Sequence, residues 1–325
     1  MSSGGRAASG AGGAPNAPPR FAARQDYVDR IGDLEYWGPF IAEILARHGL
    51  SEDGAEPVAG INATYPTFLC GTVVVKLFGG FPTWRQSHAA ERAAMTKIAA
   101  VPAIMAPRLL CEGRLYDDAE TPWPYLISSR MKGTAASRAG LSFADRRALA
   151  GDLGRLVRRV HALTVPDAAR PSDWPAPSVA EAATRSSLPP HLAAQAEAFV
   201  AALPSGDPVF VHGDLCANHV FVEDGRLAGV IDWGDAMAAD PHYEIIQVHR
   251  DLFACDTRLL RTFLEAGGWA PDRDFALRSL AQALHRQAIG LAQHHTMDVF
   301  EPVAARFPLH DIATLEELAE TLFAA

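Results

Sequence analysis

The 325-residue chain is 49% hydrophobic and carries a formal charge of −9, enough apolar mass for a large core arranged as one big domain or two lobes. That charge disfavours nonspecific nucleic-acid binding and anionic membrane surfaces, and no stretch reaches the ~20 apolar residues a membrane crossing needs. Four scattered cysteines, Cys70, Cys111, Cys216 and Cys255, lack CxxC spacing, which argues against a zinc clip or a disulfide scaffold and for reduced, mostly buried thiols.

The opening "MSSGGRAASGAGGAPNAPPR" has no large aliphatic run, so it is neither a signal segment nor a membrane anchor. Residues 1–24 are expected to be a disordered tail and the cytoplasm the location. "DLEYWGPFIAEILARHGL", 33–50, has apolar residues at helical spacing and closes on His48-Gly49. "TVVVKLFGG", 72–80, reads as a strand, as do "APRLLCEGRLY" and "WPYLISSRM"; between them 84–100 is rich in helix formers. After "SSRMKGT" the character turns helical. Ser142 is an N-cap for "FADRRALAGDLGRLVRRVHAL", where Leu149, Leu153, Leu156, Val157 and Val160 share one face. A Pro- and Ser-rich irregular connection over 165–190 follows, then a helix near 191–203, a hairpin, and helices near 242–254, 257–266, 273–295 and 313–323. The expected fold is α+β and bilobal: residues 25–130 form a small lobe of antiparallel sheet plus helix, and residues 131–325 a larger, mainly helical lobe with one embedded hairpin.

That hairpin carries the first chemical signal. Strands His219–Val222 and Arg226–Ile231 flank Asp224-Gly225, a favoured tight-turn pair, and an antiparallel return brings Asp214, His219 and Asp232 to one edge. Neighbouring carboxylates repel unless a cation or donor compensates, so the cluster points to metal binding or proton transfer; singly, Asp and Gly are ordinary turn formers. Lys76 sits among valines, where an ammonium is costly without a partner or an anionic ligand, and Glu91 on the following helix is the natural partner. Taken alone, such a lysine on the outer side of an edge strand would be unremarkable. His212 is expected to brace the loop through backbone hydrogen bonds, and Gly213 to permit the turn before Asp214.

Strand lysine, helix glutamate, interlobe segment, His-Gly-Asp, hairpin and Ile-Asp-Trp follow the order of parts in protein kinases. On "VVVKLFG", "WPYLISSRMKGT", "LGRLVRRVHAL", "FVHGDLCANHVFV" and "GVIDWGDAMAADPHYEI" the chain resembles the aminoglycoside phosphotransferase family from about residue 33 onward, with wording similar to that of hygromycin B 7''-O-kinases. The resemblance implies transfer of the γ-phosphoryl of ATP, with GTP as the alternative, to a hydroxyl of a small polar molecule, above all an aminoglycoside-type antibiotic such as hygromycin B. It implies Asp214 as base, Asp232 as Mg2+ ligand, Lys76 held by Glu91 on the phosphates, and adenine against the backbone of Ser129 and Met131. Asn62 and Thr64, in a turn without G-x-G-x-x-G, are candidates by position for covering the nucleotide, although a plain strand connection reads equally well. His219 stands where the family pattern has a metal-binding asparagine; it ligates directly, acts through water, or is replaced by Asn218. Asp235, Asp240 and Glu244 lead into the acceptor side and could hold an ammonium-rich ligand; for Glu244 the alternative is a solvated helix face, whereas Asp235 is still within the site's reach. The expected partner is a small-molecule acceptor, with no nucleic acid or membrane, and the expected state a monomer. Competing readings are a kinase of macrolides or nucleosides, a metal-dependent hydrolase on His212, Asp214, His219 and Asp232, and a catalytically weak kinase-like binding protein.

Overall fold

The computed structural model describes residues 17–50, 56–61, 64–166, 178–203, 206–269, 273–294 and 297–323. Residues 1–16 of the expected tail, Asn62, and residues 167–177 of the irregular connection lie outside them. The chain forms two compact units, one of residues 1–88 and 108–130, the other of residues 89–107 and 131–325. Residues 89–107, which the sequence reading grouped with the first lobe, thus cluster with the second unit.

The first unit begins with helices α1 (Arg24–Val28) and α2 (Leu34–Arg47). Asp33 caps α2 by accepting from the Tyr36 amide at 3.1 Å, and Trp37, Phe40, Ile41 and Ile44 make its buried stripe. Strands β1 (Val58–Ala59), β2 (Thr67–Cys70), β3 (Val73–Leu77), β4 (Leu109–Arg114) and β5 (Pro124–Ser129) form an antiparallel sheet in the order β1-β2-β3-β5-β4. β3 is therefore central, with Lys76 paired to Thr67 on one side and Leu126 on the other. A strand covered on both sides reads as a near-continuous apolar run, as "VVVKL" does. The core of this unit joins the α2 stripe to Phe68, Val75, Leu77, Trp123 and Ile127.

Helix α3 (Trp84–Ala99) sends Ala94 and Ile98 into the core of the second unit. There β6 (Thr134–Ala135) precedes α4 (Phe143–His161), which starts in a capping box: Ser142 and Asp145 each accept from the other's backbone amide. Helices α5 (Val179–Thr184), α6 (Pro190–Ala193) and α7 (Ala196–Ala201) follow, so the irregular connection contains one short helix and the helix expected near 191–203 is two. β7 (Val209–Val211), the hairpin β8 (Val220–Glu223) and β9 (Arg226–Val230), and β10 (Met237–Ala239) come next. The hairpin turn has positive φ at both Asp224 and Gly225, the geometry for which an Asp-Gly pair is selected, and β6 adds to it in a three-stranded sheet. β7 and β10 pair antiparallel as a separate ribbon.

The helix expected near 242–254 is broken: a 3₁₀ turn Pro241–Glu244, α8 (Ile245–Gln247) and a π-turn Val248–Leu252. The long helices α9 (Thr257–Gly267) and α10 (Arg273–His294), then α11 (Glu301–Ala304) and α12 (Leu315–Phe323), complete the unit. α9 lies against α4 at Gly154, where a Cβ would collide with the Phe263 carbonyl. Only glycine allows that approach.

Candidate active site

Two tight connections build the centre of the second unit. Pairing of β7 with β10 places His212-Gly213-Asp214, just after β7, beside Asp232-Trp233-Gly234-Asp235, just before β10, with Val211 opposite Met237. Gly213 has φ +85°, and a Cβ there would collide with the Asp235 carbonyl. The second connection is the hairpin, in which Val220 pairs with Val230. Together they bring Asp214, His219 and Asp232 into contact: His219 Nδ1 lies 3.5 Å from Asp214 Oδ2, and His219 Nε2 lies 3.5 Å from Asp232 Oδ2.

The hydrogen bonds assign the ring nitrogens. His219 Nδ1 is 2.8 Å from the Asp214 carbonyl oxygen, an acceptor only, so Nδ1 carries a proton and Nε2 is the nitrogen presented to Asp232. Burial works against a charged His219, but the Cys216 thiol and then the Asp232 and Asp214 carboxylates outweigh it and hold the imidazole well above its usual range. Nε2 and Asp232 Oδ2, 3.5 Å apart, are the donor atoms at that edge that would hold a divalent ion. Asp214, Cys216 and His219 also offer donors within 4.8 Å of one another, but the Nδ1 facing Asp214 already donates to a carbonyl, so that trio surrounds an N–H. Asn218 is exposed, and its Oδ1 accepts from the Ser137 hydroxyl at 2.7 Å; His219 is the residue between the carboxylates. Asp232 itself has a left-handed backbone, φ 63° and ψ 70°, a strained conformation for a residue with a side chain.

His212 acts as the sequence predicts. Its Nε2 donates to the Ile231 carbonyl at 2.9 Å and its Nδ1 accepts from the Asp214 amide at 3.1 Å, while burial, then the neighbouring His219, push its pKa down. A neutral imidazole with both nitrogens engaged braces the loop.

Two expected acceptor-side carboxylates are committed elsewhere. Glu244 is 1% exposed; one oxygen accepts from the His212 and Gly213 amides at 2.5 and 3.3 Å and the other pairs with His161 at 3.0 Å. Burial would raise its pKa, but those donors win and lower it, so it is an internal brace of the loop that carries Asp214. Asp240 accepts from the His242 amide and ring at 2.9 and 2.7 Å and from the Gly206 amide at 2.8 Å. These bonds overcome burial and bring its pKa down to about 2, so Asp240 caps the 3₁₀ turn. Neither oxygen-bearing group is offered to a ligand. Asp235, half-buried in the 3₁₀ turn Trp233–Asp235, stays at the edge of the centre.

Two residues the sequence reading missed touch Asp214 directly. Arg286 on α10 donates to Asp214 Oδ1 at 2.7 Å and to the Gly213 carbonyl, and Gln247 donates to the same Oδ1 at 3.2 Å. A signal for Arg286 was present: it follows Ala283 by three residues on a helix whose buried face includes Leu280, Ala283 and Leu284. A charge on an apolar face needs a partner.

In the first unit Lys76 is 9% exposed, with its ammonium 5.7 Å from the ring centre of Tyr65 and 5.3 Å from that of Phe78. Glu91, on α3 in the second unit, is 4% exposed. The Thr64 carbonyl accepts from the Tyr27 hydroxyl at 2.7 Å while its side chain is exposed; Asn62 lies outside the described residues. The Ser129 amide already donates to the Arg108 carbonyl at 2.9 Å, which removes it as a donor to a ligand, and Met131 packs on Gly229.

Residues 60–281 match the phosphotransferase enzyme family, well over half of the chain, and the protein belongs to that family. A 55-residue segment is 38% identical to the hygromycin-B 4-O-kinase of Escherichia coli, spanning 16% of this chain and 16% of that relative. Among solved structures, aminoglycoside 2'-phosphotransferase-IIIa with GDP is 17% identical at TM-score 0.58, covering 87% of this chain and 97% of that one. The Streptomyces rimosus APH(3'')-Id aminoglycoside phosphotransferase with ADP and streptomycin is 24% identical at TM-score 0.51, covering 78% and 98%. The macrolide 2'-phosphotransferase of Brachybacterium faecium is 19% identical at TM-score 0.56, covering 87% and 96%. The fold is that of the aminoglycoside kinases, α+β and protein-kinase-like, as expected from the order of motifs.

Proposed function

We propose that the protein transfers the γ-phosphoryl group of ATP to a hydroxyl of a small polar molecule, with an aminoglycoside-type antibiotic such as hygromycin B as the acceptor. The observation that carries this reading is the contact of Asp214 and Asp232 with opposite nitrogens of His219, in a chain of the phosphotransferase family. Asp214, 27% exposed at its side chain, can receive the proton of an acceptor hydroxyl and orient its oxygen. Asp232 and His219 Nε2 would hold Mg2+, which when bound neutralises charge on the phosphates. Lys76 is assigned to the nucleotide phosphates, and Glu91, a carboxylate that phosphates would repel, to the partnering of that lysine. Thr64 and Asn62 are assigned to covering them, and Ser129 and Met131 to the adenine, Ser129 through groups other than its amide.

Support for hygromycin B comes from the matched segment of the hygromycin-B 4-O-kinase. GTP is the competing donor, because several structural neighbours carry GDP. The commitment of Asp240 and Glu244 to the protein's own backbone shifts amine recognition, if the acceptor has amines, to Asp235 and to groups not yet assigned. The decisive assay couples nucleoside diphosphate release to an acceptor panel of hygromycin B, other aminoglycosides, macrolides and nucleoside antibiotics, with ATP and GTP in parallel. Acceptor-dependent release by the native protein and its fall to a low but measurable residual rate in Asp214→Asn are expected. Equal rates in the two proteins would remove Asp214 from the mechanism.

A further inference from the structure

Asp214 stands on a short loop after a left-handed glycine, and nothing in that loop alone fixes the direction of its carboxylate. Two side chains from outside the loop do, Arg286 and Gln247, with Arg250 behind the second. Arg286 is 4% exposed, spans two points of the loop with one planar group, and packs its face against Tyr243, 5.2 Å from the ring centre. One end of the guanidinium holds the Gly213 carbonyl and the other holds Asp214 Oδ1, so backbone and side chain are registered against the same rigid helix. Gln247 adds a second donor to Oδ1. Its amide cannot be flipped, because Arg250, which has only donors, binds the other end through Nε and Nη2 at 3.0 and 2.7 Å.

The consequence is an asymmetric carboxylate. Oδ1 accepts two hydrogen bonds, while Oδ2 faces His219 at 3.5 Å, beyond hydrogen-bond strength and on a nitrogen already donating to a carbonyl. The exposures also differ: the arginine is buried and the aspartate side chain is 27% exposed, so the cation is the scaffold and the carboxylate the working end. We propose that Arg286, seconded by Gln247, is a positioning residue that locks Asp214 with Oδ2 as the oxygen offered to the acceptor hydroxyl. This rests on the phosphotransferase reading above. A lysine at 286 could keep the charge but could not reach both points of the loop in one plane.

The experiment is a double-mutant cycle on acceptor-dependent turnover, with Arg286→Lys, Arg286→Gln and Gln247→Ala made in the native protein and in Asp214→Asn. Loss of geometry at the reacting hydroxyl should lower kcat by on the order of tenfold to a hundredfold in both Arg286 variants, with KM for the nucleotide unchanged. Gln247→Ala should lose less. In Asp214→Asn the same substitutions should cost almost nothing, because the group they position is gone; a merely structural arginine would cost equally in both backgrounds. If Arg286→Gln does not fold, Arg286→Lys and Gln247→Ala carry the test. Native-like kcat in those variants, or equal losses with and without the Asp214 carboxylate, overturns the proposal while leaving phosphotransfer intact. A native protein without acceptor-dependent turnover, or an Asp214→Asn variant as fast as native, overturns both.

Discussion

Glu244 shows how a carboxylate can lie beside the Asp214 loop and be closed to ligands. Its two oxygens satisfy two amides of the loop and one histidine, at 1% exposure. Changing it to glutamine puts an N–H where an acceptor is needed, so Glu244→Gln should lose about 1–3 kcal/mol of stability in urea unfolding. Gly213 is under a stricter constraint, since its φ of +85° and its contact with the Asp235 carbonyl both exclude a side chain. Gly213→Ala should therefore cost about 1–3 kcal/mol from backbone strain, with the displaced Asp214 loop seen as a drop in kcat larger than the drop in melting temperature implies. At this scale the sequence disclosed which residues carry charge near the hairpin. It did not disclose which oxygens were already taken, because Asp240 and Glu244 are claimed by amides 34 and 32 residues away.

The elements divide by how local their causes are. The β8–β9 hairpin was legible because Asp224-Gly225 sets the turn by itself, and α4 because Ser142 and Asp145 form its cap within four residues. The β7–β10 ribbon was not legible. Each strand has three residues, too short for a periodic pattern, and the whole hairpin lies between them in the chain. The break after Glu244 was equally hidden, and it creates a π-turn with a consequence for pH. His249 in that turn is 0% exposed and packs at a tilt against Phe323, ring centres 5.7 Å apart; its ring nitrogens make no hydrogen bond of normal geometry among the described residues, although the Leu322 main chain lies beside it. Burial pushes its pKa from 6.5 down to about 4. Between those values the unfolded chain binds a proton that the native chain refuses, so stability falls as pH drops through that window, by about 3 kcal/mol in all. His249→Phe should flatten that part of the stability–pH curve and leave stability at pH 8 equal or higher, as read from denaturant midpoints.

Each of the two units has its own core, and no described helix is long and apolar enough to cross a membrane. On the proposed function, a nucleotide with Mg2+ at a hundred times its dissociation constant should stabilise the whole chain by about 2.7 kcal/mol, measurable as a rise in melting temperature. Asp232→Ala should remove the Mg2+-dependent part of that rise and keep the rest. The sequence alone determined the fold class, the family and the two aspartates flanking the hairpin, because capping boxes, tight turns and apolar periodicity act over a few residues. Tertiary structure decided which charged groups face one another: α10 supplies the arginine that holds Asp214, and β10 with its following turn supplies the capping Asp240 and the bracing Glu244. Hydrogen-bond partners of buried charges are chosen by proximity in space, and proximity between segments 32 to 72 residues apart is set only when the core packs.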